Sequence, residues 1–119
     1  MRQILASILT LLLAASMSFG FDPQTKAEID DLISFVQTSG IRFIRNGTEY
    51  SAAEAAQHLR EKLNKAGDRV KTTDDFIIGI ASKSYISGKP YLVKFADGHV
   101  QFTADWLRAH LAQIRKNKR

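Results

Sequence analysis

Cysteine is absent from this chain of 119 residues, and no apolar run is long enough to cross a membrane. Without cysteine, no disulfide can hold the fold and no lipid can be attached through a thioether, so an apolar core has to supply the stability. The main apolar stretch, Ile4 to Ala15, has about 12 residues, whereas a spanning helix needs roughly 20. We therefore do not expect a permanent membrane anchor.

Histidine is scarce as well, which limits catalysis and metal binding. The chain has three histidines, and none lies one helical turn from another. The loop serines are not followed by lysine at the Ser-x-x-Lys spacing, and no Gly-x-Ser-x-Gly motif is present. A nucleotide loop is excluded because Pro90 follows Ser87-Gly88-Lys89 where a hydroxyl residue is required. We expect no metal and no cofactor.

The N-terminal residues have the pattern of a cleavable export signal. Arg2 precedes the apolar run, and Ser18-Phe19-Gly20 has the small-x-small pattern of a cleavage site, although cleavage after Ser16 or Ser18 also fits. We expect residues 1–20 to be a signal peptide, residues 21–119 to be a single mature domain, and the location to be periplasmic.

The charge balance is modestly basic, with 17 lysines and arginines against 12 acids. A basic excess attracts nucleic acid, anionic lipid or acidic glycans through long-range fields. Export makes nucleic acid the poorest of these candidates. The expected partners are an anionic or glycan ligand of the envelope or a periplasmic protein.

Four segments have the caps and apolar periodicity of helices. Thr25-x-x-Glu28 matches a capping box and predicts a first helix over residues 25–38. Ser51-x-x-Glu54 is a second capping box and predicts a helix that runs to about Ala66. Thr72-Thr73-Asp74-Asp75 predicts the start of a third helix, and Thr103 is predicted to cap the last one. The aromatic residues assigned to the core are Phe76, Phe102 and Trp106.

Two hairpins separate these helices. Asn46-Gly47 and Asp97-Gly98 are strong two-residue turn signals, each between short β-branched or aromatic segments. The order α-ββ-α-α-ββ-α predicts a small single α+β domain with about four helices and a small antiparallel sheet.

The loop of residues 82–91 is the predicted binding surface, because it combines many hydroxyls with two lysines. Such a loop suits an anionic or hydroxylated ligand. It also suits a loop whose serines cap a helix and satisfy their own backbone. The candidate residues are Ser82, Ser84, Ser87, Gly88, Lys89 and Tyr91.

His58 and Lys62 are candidates on a neighbouring helical face, one turn apart and preceded by Glu54. His58 could act as a general base oriented by a carboxylate. The simpler interpretation is a face carrying i,i+4 charge pairs. An envelope-acting hydrolase using His58 with Ser84 or Ser87 is therefore the alternative function.

Several short motifs together resemble the YfeK-like family of small exported proteobacterial proteins, a domain of unknown function. They are Arg45-Asn46-Gly47, Glu54-Ala55, His58-Leu59-Arg60, Lys62-Leu63, Ala81-Ser82-x-Ser84 and Ser87-Gly88-Lys89-Pro90-Tyr91. The resemblance covers essentially the whole mature chain. It implies one periplasmic domain and supplies no chemistry.

The same loop also looks like the Ser-Gly-x-x-Tyr loop of periplasmic C-type lysozyme inhibitors, through Ser87-Gly88-Lys89-x-Tyr91. Those inhibitors are β-barrels, whereas this chain is predicted to be half helical. A lysozyme-inhibitor-like protein is a second alternative. Our main hypothesis is a non-enzymatic periplasmic binding module that uses residues 82–91 with His58 and Lys62.

Overall fold

The computed structural model describes residues 21–118, so the predicted signal peptide lies outside the described residues. The helices are α1 (Pro23–Thr38), α2 (Ala52–Ala66), α3 (Thr73–Gly79) and α4 (Thr103–Asn117), and a 3₁₀ turn, Gly67–Arg69, follows α2. The strands are β1 (Arg42–Arg45), β2 (Thr48–Tyr50), β3 (Leu92–Lys94) and β4 (Val100–Phe102). This order confirms the predicted α+β fold.

The four strands form one antiparallel sheet in the order β2-β1-β3-β4. Asn46 and Gly47 turn β1 into β2, with φ angles of 51° and 80°. Both angles lie in the left-handed region that a tight hairpin turn requires and that Asn and Gly tolerate best. The register places Phe43 of β1 between Tyr50 and Val93, which puts these three side chains on one face.

The core lies between this face and the helices. An apolar stripe of α1 is buried, and so are two apolar residues of α3. The buried hydrophobic residues of the two helices are Ile29, Leu32, Ile33 and Val36 in α1 and Phe76 and Ile77 in α3. α2 adds Ala56 and Leu59, and α4 adds Leu107 and Leu111. Burial of such side chains is the main stabilising term in a domain without disulfides.

Two of the predicted helix starts are wrong by a few residues. The N-cap of α1 is Asp22, whose carboxylate accepts from the Thr25 backbone N–H at 2.7 Å. Asp22 is the cap in place of Thr25 because it directly precedes Pro23, and proline favours the first helical position. Thr103 is the first residue of α4 and not its cap, and its buried Oγ1 has no hydrogen-bond partner among residues 21–118.

The predicted capping box at Ser51 is confirmed, and the predicted helix start at Thr72 has a capping box as well. Ser51 and Glu54 exchange hydrogen bonds at the start of α2, and Thr72 and Asp75 do so at the start of α3. Each pair satisfies backbone donors that would otherwise be free at a helix start.

The assignment of Phe102 to the core is wrong, since its side chain is 52% exposed. Phe102 pairs with Leu92 in the sheet, and Leu92 pairs with Ile44. These three residues alternate with the buried Phe43 and Val93, so they lie on the outer face of the sheet.

Glu28 links three helices at the opposite side of the core. Its carboxylate accepts from Arg115 of α4 at 2.9 and 3.0 Å and from the Thr73 hydroxyl of α3 at 2.6 Å. The hydrogen bond from Arg115 is the main reason that the pKa of Glu28 falls from 4.5 to about 2.

Within the described part of the chain, no helix has the length and hydropathy of a membrane span.

Candidate functional site

The candidate site is a pocket of about 440 Å³ lined mainly by the β1–β2 hairpin and α2. Pockets of 300–1,000 Å³ are typical of small-molecule sites. Its apolar wall includes Phe43, Ala53, Ala55 and Leu59, and its polar lining includes Arg45, Tyr50, Glu54, Gln57, His58, Glu61, Tyr91 and Thr103.

Arg45 lies at the polar end of this pocket. One of its terminal nitrogens donates to the Tyr50 hydroxyl at 3.0 Å, and its guanidinium lies 4.9 Å from the centroid of the same ring. The other terminal nitrogen is 3.3 Å from Nδ1 and 3.4 Å from Nε2 of His58. Among residues 21–118, no carboxylate lies within ion-pair distance of Arg45.

His58 continues the hydrogen-bond chain from Arg45 to Tyr91. Its Nε2 is 3.2 Å from the hydroxyl of Tyr91, which is a buried residue just before β3. Burial lowers the pKa of His58 below its ordinary value of 6.5, and the positive charges of Arg45 and Lys62 lower it further. His58 is therefore neutral near pH 7.

Lys62 connects the pocket to the loop of residues 82–91. Its Nζ donates to the backbone carbonyls of Ile80 and Lys83, both at 2.8 Å, and to the Tyr91 hydroxyl at 3.1 Å. These three bonds use all three ammonium hydrogens. Burial, followed by the positive charge of Arg45, lowers the pKa of Lys62.

The hydrogen bonds leave donors free at the polar end. Arg45 can only donate, so the nitrogen of His58 that accepts from it carries no proton. If that nitrogen is Nδ1, the shorter contact, Nε2–H donates to the Tyr91 hydroxyl oxygen, which also accepts from Lys62. The Tyr91 O–H can then donate to a ligand. Tyr50, which accepts from Arg45, likewise keeps its hydroxyl hydrogen.

The loop serines make hydrogen bonds within the protein. The Ser82 hydroxyl donates to the Ile78 carbonyl at the end of α3. Buried Ser84 accepts from the Asn46 side-chain amide at 3.3 Å, and the Ser87 hydroxyl donates to the carbonyl oxygen of the same amide. These bonds join the loop to the β1–β2 turn.

The structure thus brings together three of the predicted site residues, His58, Lys62 and Tyr91. Gly88 and Lys89 lie in the turn of the loop, where Gly88 has a φ of 73°. Neither lines the pocket described above.

Sequence reasoning missed Arg45 and Tyr50 as members of the site. Strand alternation could have found Arg45, because it lies two residues after the core residue Phe43 and so faces the same side. The hairpin register pairs Tyr50 with Phe43, which puts it on that side too.

The acids at the rim of the pocket are directed elsewhere or exposed. Glu54 accepts from the Ser51 backbone as part of the α2 capping box, which lowers its pKa. Glu61 is exposed to solvent. Within residues 21–118, no three His, Asp or Glu side chains are grouped closely enough to hold a metal ion.

Fold and site together define a class: a small α+β domain whose antiparallel sheet and second helix line a pocket with a hydrogen-bond-donating, cationic end. Residues 23–115 match the model of the Family of unknown function (DUF5329), and the chain belongs to that family. It is similar to the uncharacterized protein YfeK of Salmonella typhimurium, with 34% identity over 92 residues that cover 76% of this chain and 77% of that protein. No solved structure matches the chain significantly. The family match and the relative confirm the resemblance to YfeK-like proteins.

Proposed function

We propose that the protein is an exported, non-enzymatic binding protein that takes a small ligand with an apolar body and an anionic head in the pocket of Arg45, His58 and Tyr91. The observation that carries this proposal is the charge and hydrogen-bond character of the polar end. It presents donors and positive charge beside an apolar wall, and Arg45 has no carboxylate partner in the described chain.

A carboxylate or phosphate is the complementary head group. Such groups only accept hydrogen bonds when ionised, and a guanidinium binds them with two parallel N–H donors. The Tyr50 hydroxyl is a further donor at this end of the pocket, and the Tyr91 hydroxyl is another when His58 carries its proton on Nε2. An alcohol of the same shape would make these bonds without neutralising the local positive charge.

The apolar wall supports a hydrocarbon or aromatic ligand body. Phe43 and Leu59 are buried, whereas Ala53 and Ala55 of α2 leave room above them because their side chains are short. The apolar part contributes affinity through area removed from water, and the charged end contributes specificity.

The hydrolase alternative requires a serine within reach of His58. Among residues 21–118, the hydrogen-bond partners of His58 are Arg45 and Tyr91, whereas Ser84 and Ser87 bond to Asn46. The present geometry therefore favours binding. The open four-stranded sheet also differs from the barrel of C-type lysozyme inhibitors.

The proposal is tested by calorimetric titration of residues 21–119 with octanoate and, separately, with octan-1-ol. We expect saturable octanoate binding that is at least about tenfold tighter than octanol binding, because a charge-assisted hydrogen bond contributes roughly 1.5–3 kcal/mol. Arg45→Gln should remove most of that difference.

Arg42→Gln is the matched control. Arg42 lies three residues earlier in β1, where it is exposed and pairs with Glu49. Equal affinity for the acid and the alcohol, or equal losses in both variants, would contradict the proposed site.

A further inference from the structure

A second surface, outside the lining of the pocket, carries exposed apolar side chains among cations. Ile86 is 97% exposed and Tyr85 is 83% exposed, and both lie at the tip of the loop of residues 82–91. We refer to these two residues as the loop tip. Ile78 at the end of α3 is 57% exposed as well. Ile78 and Tyr85 line the same groove, and Ile86 follows Tyr85 in the chain. A contiguous exposed apolar patch is typical of an interaction surface.

The loop holds its tip in a fixed conformation. The Ser84 N–H donates to the Lys89 carbonyl and the Gly88 N–H to the Ser84 carbonyl, both at 2.9 Å. Lys62 holds the base of the loop through the Lys83 carbonyl, and the Tyr91 N–H donates to the Ser82 carbonyl. A tip that is already ordered loses little conformational entropy on binding.

Cations surround the tip. Lys65, Arg69, Ile78 and Tyr85 line one groove of about 560 Å³ on this side of the molecule. Two further cations, Lys83 and Lys89, flank the tip along the chain. Within the described chain, none of these four cations has a carboxylate within 4.0 Å.

One acid, Asp75, also lines this groove. Its carboxylate accepts from the backbone N–H groups of Lys71 and Thr72, which lowers its pKa. The Asp75 carboxylate is therefore already hydrogen-bonded at the start of α3. Cations outnumber acids among the residues that line the groove.

We propose that the loop tip inserts Tyr85 and Ile86 into the interface of an anionic lipid membrane, with Lys65, Arg69, Lys83 and Lys89 contacting the lipid phosphates. The pairing of a protruding aliphatic residue with unpaired cations is what separates a membrane from other anionic partners. An acidic glycan would contact the cations and leave Ile86 in water, whereas an anionic bilayer interface binds the cations and also buries the apolar side chain. Tyrosine is also a residue that prefers the membrane interface.

The two contributions are expected to be jointly required. Each lysine or arginine close to an anionic leaflet adds a modest attraction that salt screens, and the apolar tip adds an area term that salt does not screen. Neither is large alone, so binding should be reversible and depend on lipid charge.

Co-sedimentation of residues 21–119 with vesicles tests the proposal. This segment contains every described helix and strand with its core, and it lacks the apolar N-terminal stretch, which could bind lipid by itself. Vesicles of phosphatidylcholine alone are compared with vesicles that also contain phosphatidylglycerol. We expect binding to the anionic vesicles only, weakened by high salt.

Ile86→Ser should weaken this binding by about tenfold, since an aliphatic side chain is removed from the interface. Lys83→Gln combined with Lys89→Gln should weaken it several-fold. Phe102→Ser is the control, because Phe102 is another exposed apolar residue and lies on the outer face of the sheet, away from the loop tip. All these positions are exposed, so the variants should fold, which circular dichroism verifies.

Three results would overturn the proposal. They are absence of binding to anionic vesicles, equal binding to both vesicle types, and binding that Ile86→Ser leaves unchanged. A parallel titration with heparin tests an acidic glycan as the partner. Heparin binding without vesicle binding would show that the partner is a soluble polyanion and not a membrane. Octanoate titration reads the pocket separately, so failure of one site does not imply failure of the other.

Discussion

Replacing Arg115 by Gln should destabilise the fold near pH 7 and much less at low pH. Arg115 donates two hydrogen bonds to Glu28, whose side chain is 2% exposed. The Arg115→Gln variant leaves this carboxylate buried with Thr73 as its remaining strong donor. Breaking a buried ion pair by removing one partner is costly because the other charge stays out of water.

The size of the effect follows from the pKa of Glu28. A fall from 4.5 to about 2 corresponds to at most about 3.4 kcal/mol of stabilisation at neutral pH. Arg115 is 50% exposed, so solvent screens part of this interaction and we expect about 2 kcal/mol. In a domain of this size, that loss lowers Tm by roughly 10 °C.

The sign of the pH dependence is fixed by the direction of the shift. The pKa of Glu28 is depressed in the folded state, so its stabilisation is present above pH 4.5 and is lost as the pH falls toward about 2. Without Arg115, the largest cause that lowers this pKa is gone and burial still acts to raise it, so the variant loses less stability on acidification. The gap between the two proteins should therefore shrink as the pH falls.

Urea unfolding followed by the fluorescence of Trp106, the single tryptophan, measures this gap. Trp106 is suited to the assay because it stacks on Phe35 with ring centroids 4.5 Å apart. Arg108→Gln is the matched control, since it removes the same charge from an exposed position of α4. A gap of equal size at pH 7 and about pH 3, or a gap no larger than that of the control, would refute the reasoning.

Three further predictions concern the site. Lys62→Met should lower the free energy of unfolding by about 2 kcal/mol and speed amide exchange in the loop of residues 82–91, because two backbone carbonyls lose a charged donor. Lys65→Met, at an exposed position, is the control, and equal exchange rates in the two variants would contradict this prediction. Thr103→Val should raise stability by about 1 kcal/mol in urea unfolding, because it removes a buried hydroxyl without a partner among residues 21–118; a loss would show that this hydroxyl is satisfied. NMR titration should give His58 a pKa below 6.5, so stability should decrease as the pH falls below that value, which His58→Gln should prevent. An ordinary pKa for His58 would contradict the buried, cationic surroundings described here.

Most of the fold could be predicted from local signals. The Asn46-Gly47 and Asp97-Gly98 turns, the capping box at Ser51 and the helix start at Thr72 depend on residues only a few positions apart, so the sequence alone predicts them. The misassigned cap of α1 arose because Asp22 and Thr25 offer competing starts one turn apart. Only the backbone conformation decides between such starts.

The assignment of Phe102 failed for a different reason. Its hydrophobicity predicted burial, but its register opposite Leu92 puts it on the outer face of the sheet. Register is a tertiary property, and a shift by one residue exchanges the two faces of a strand.

The candidate site shows the same limit. His58 and Tyr91 are 33 residues apart in sequence and meet only because α2 packs over the sheet beside the loop. The sequence marked both as polar residues of interest, but it could not indicate that Lys62 bonds to both the loop backbone and Tyr91. Arg45 was hidden because a charged residue in a short strand is usually solvent-facing.

The most direct test of the pocket is a residue-resolved NMR titration of residues 21–119 with octanoate, in which the His58 ring is followed across pH. A carboxylate beside His58 opposes the positive field of Arg45 and Lys62, so the pKa of His58 should rise when octanoate binds. Saturable shifts at Arg45, Tyr50, His58 and Tyr91, with that rise in pKa, are the predicted result. Shifts scattered over the surface, or an unchanged pKa of His58 at saturation, would contradict an anion site in this pocket.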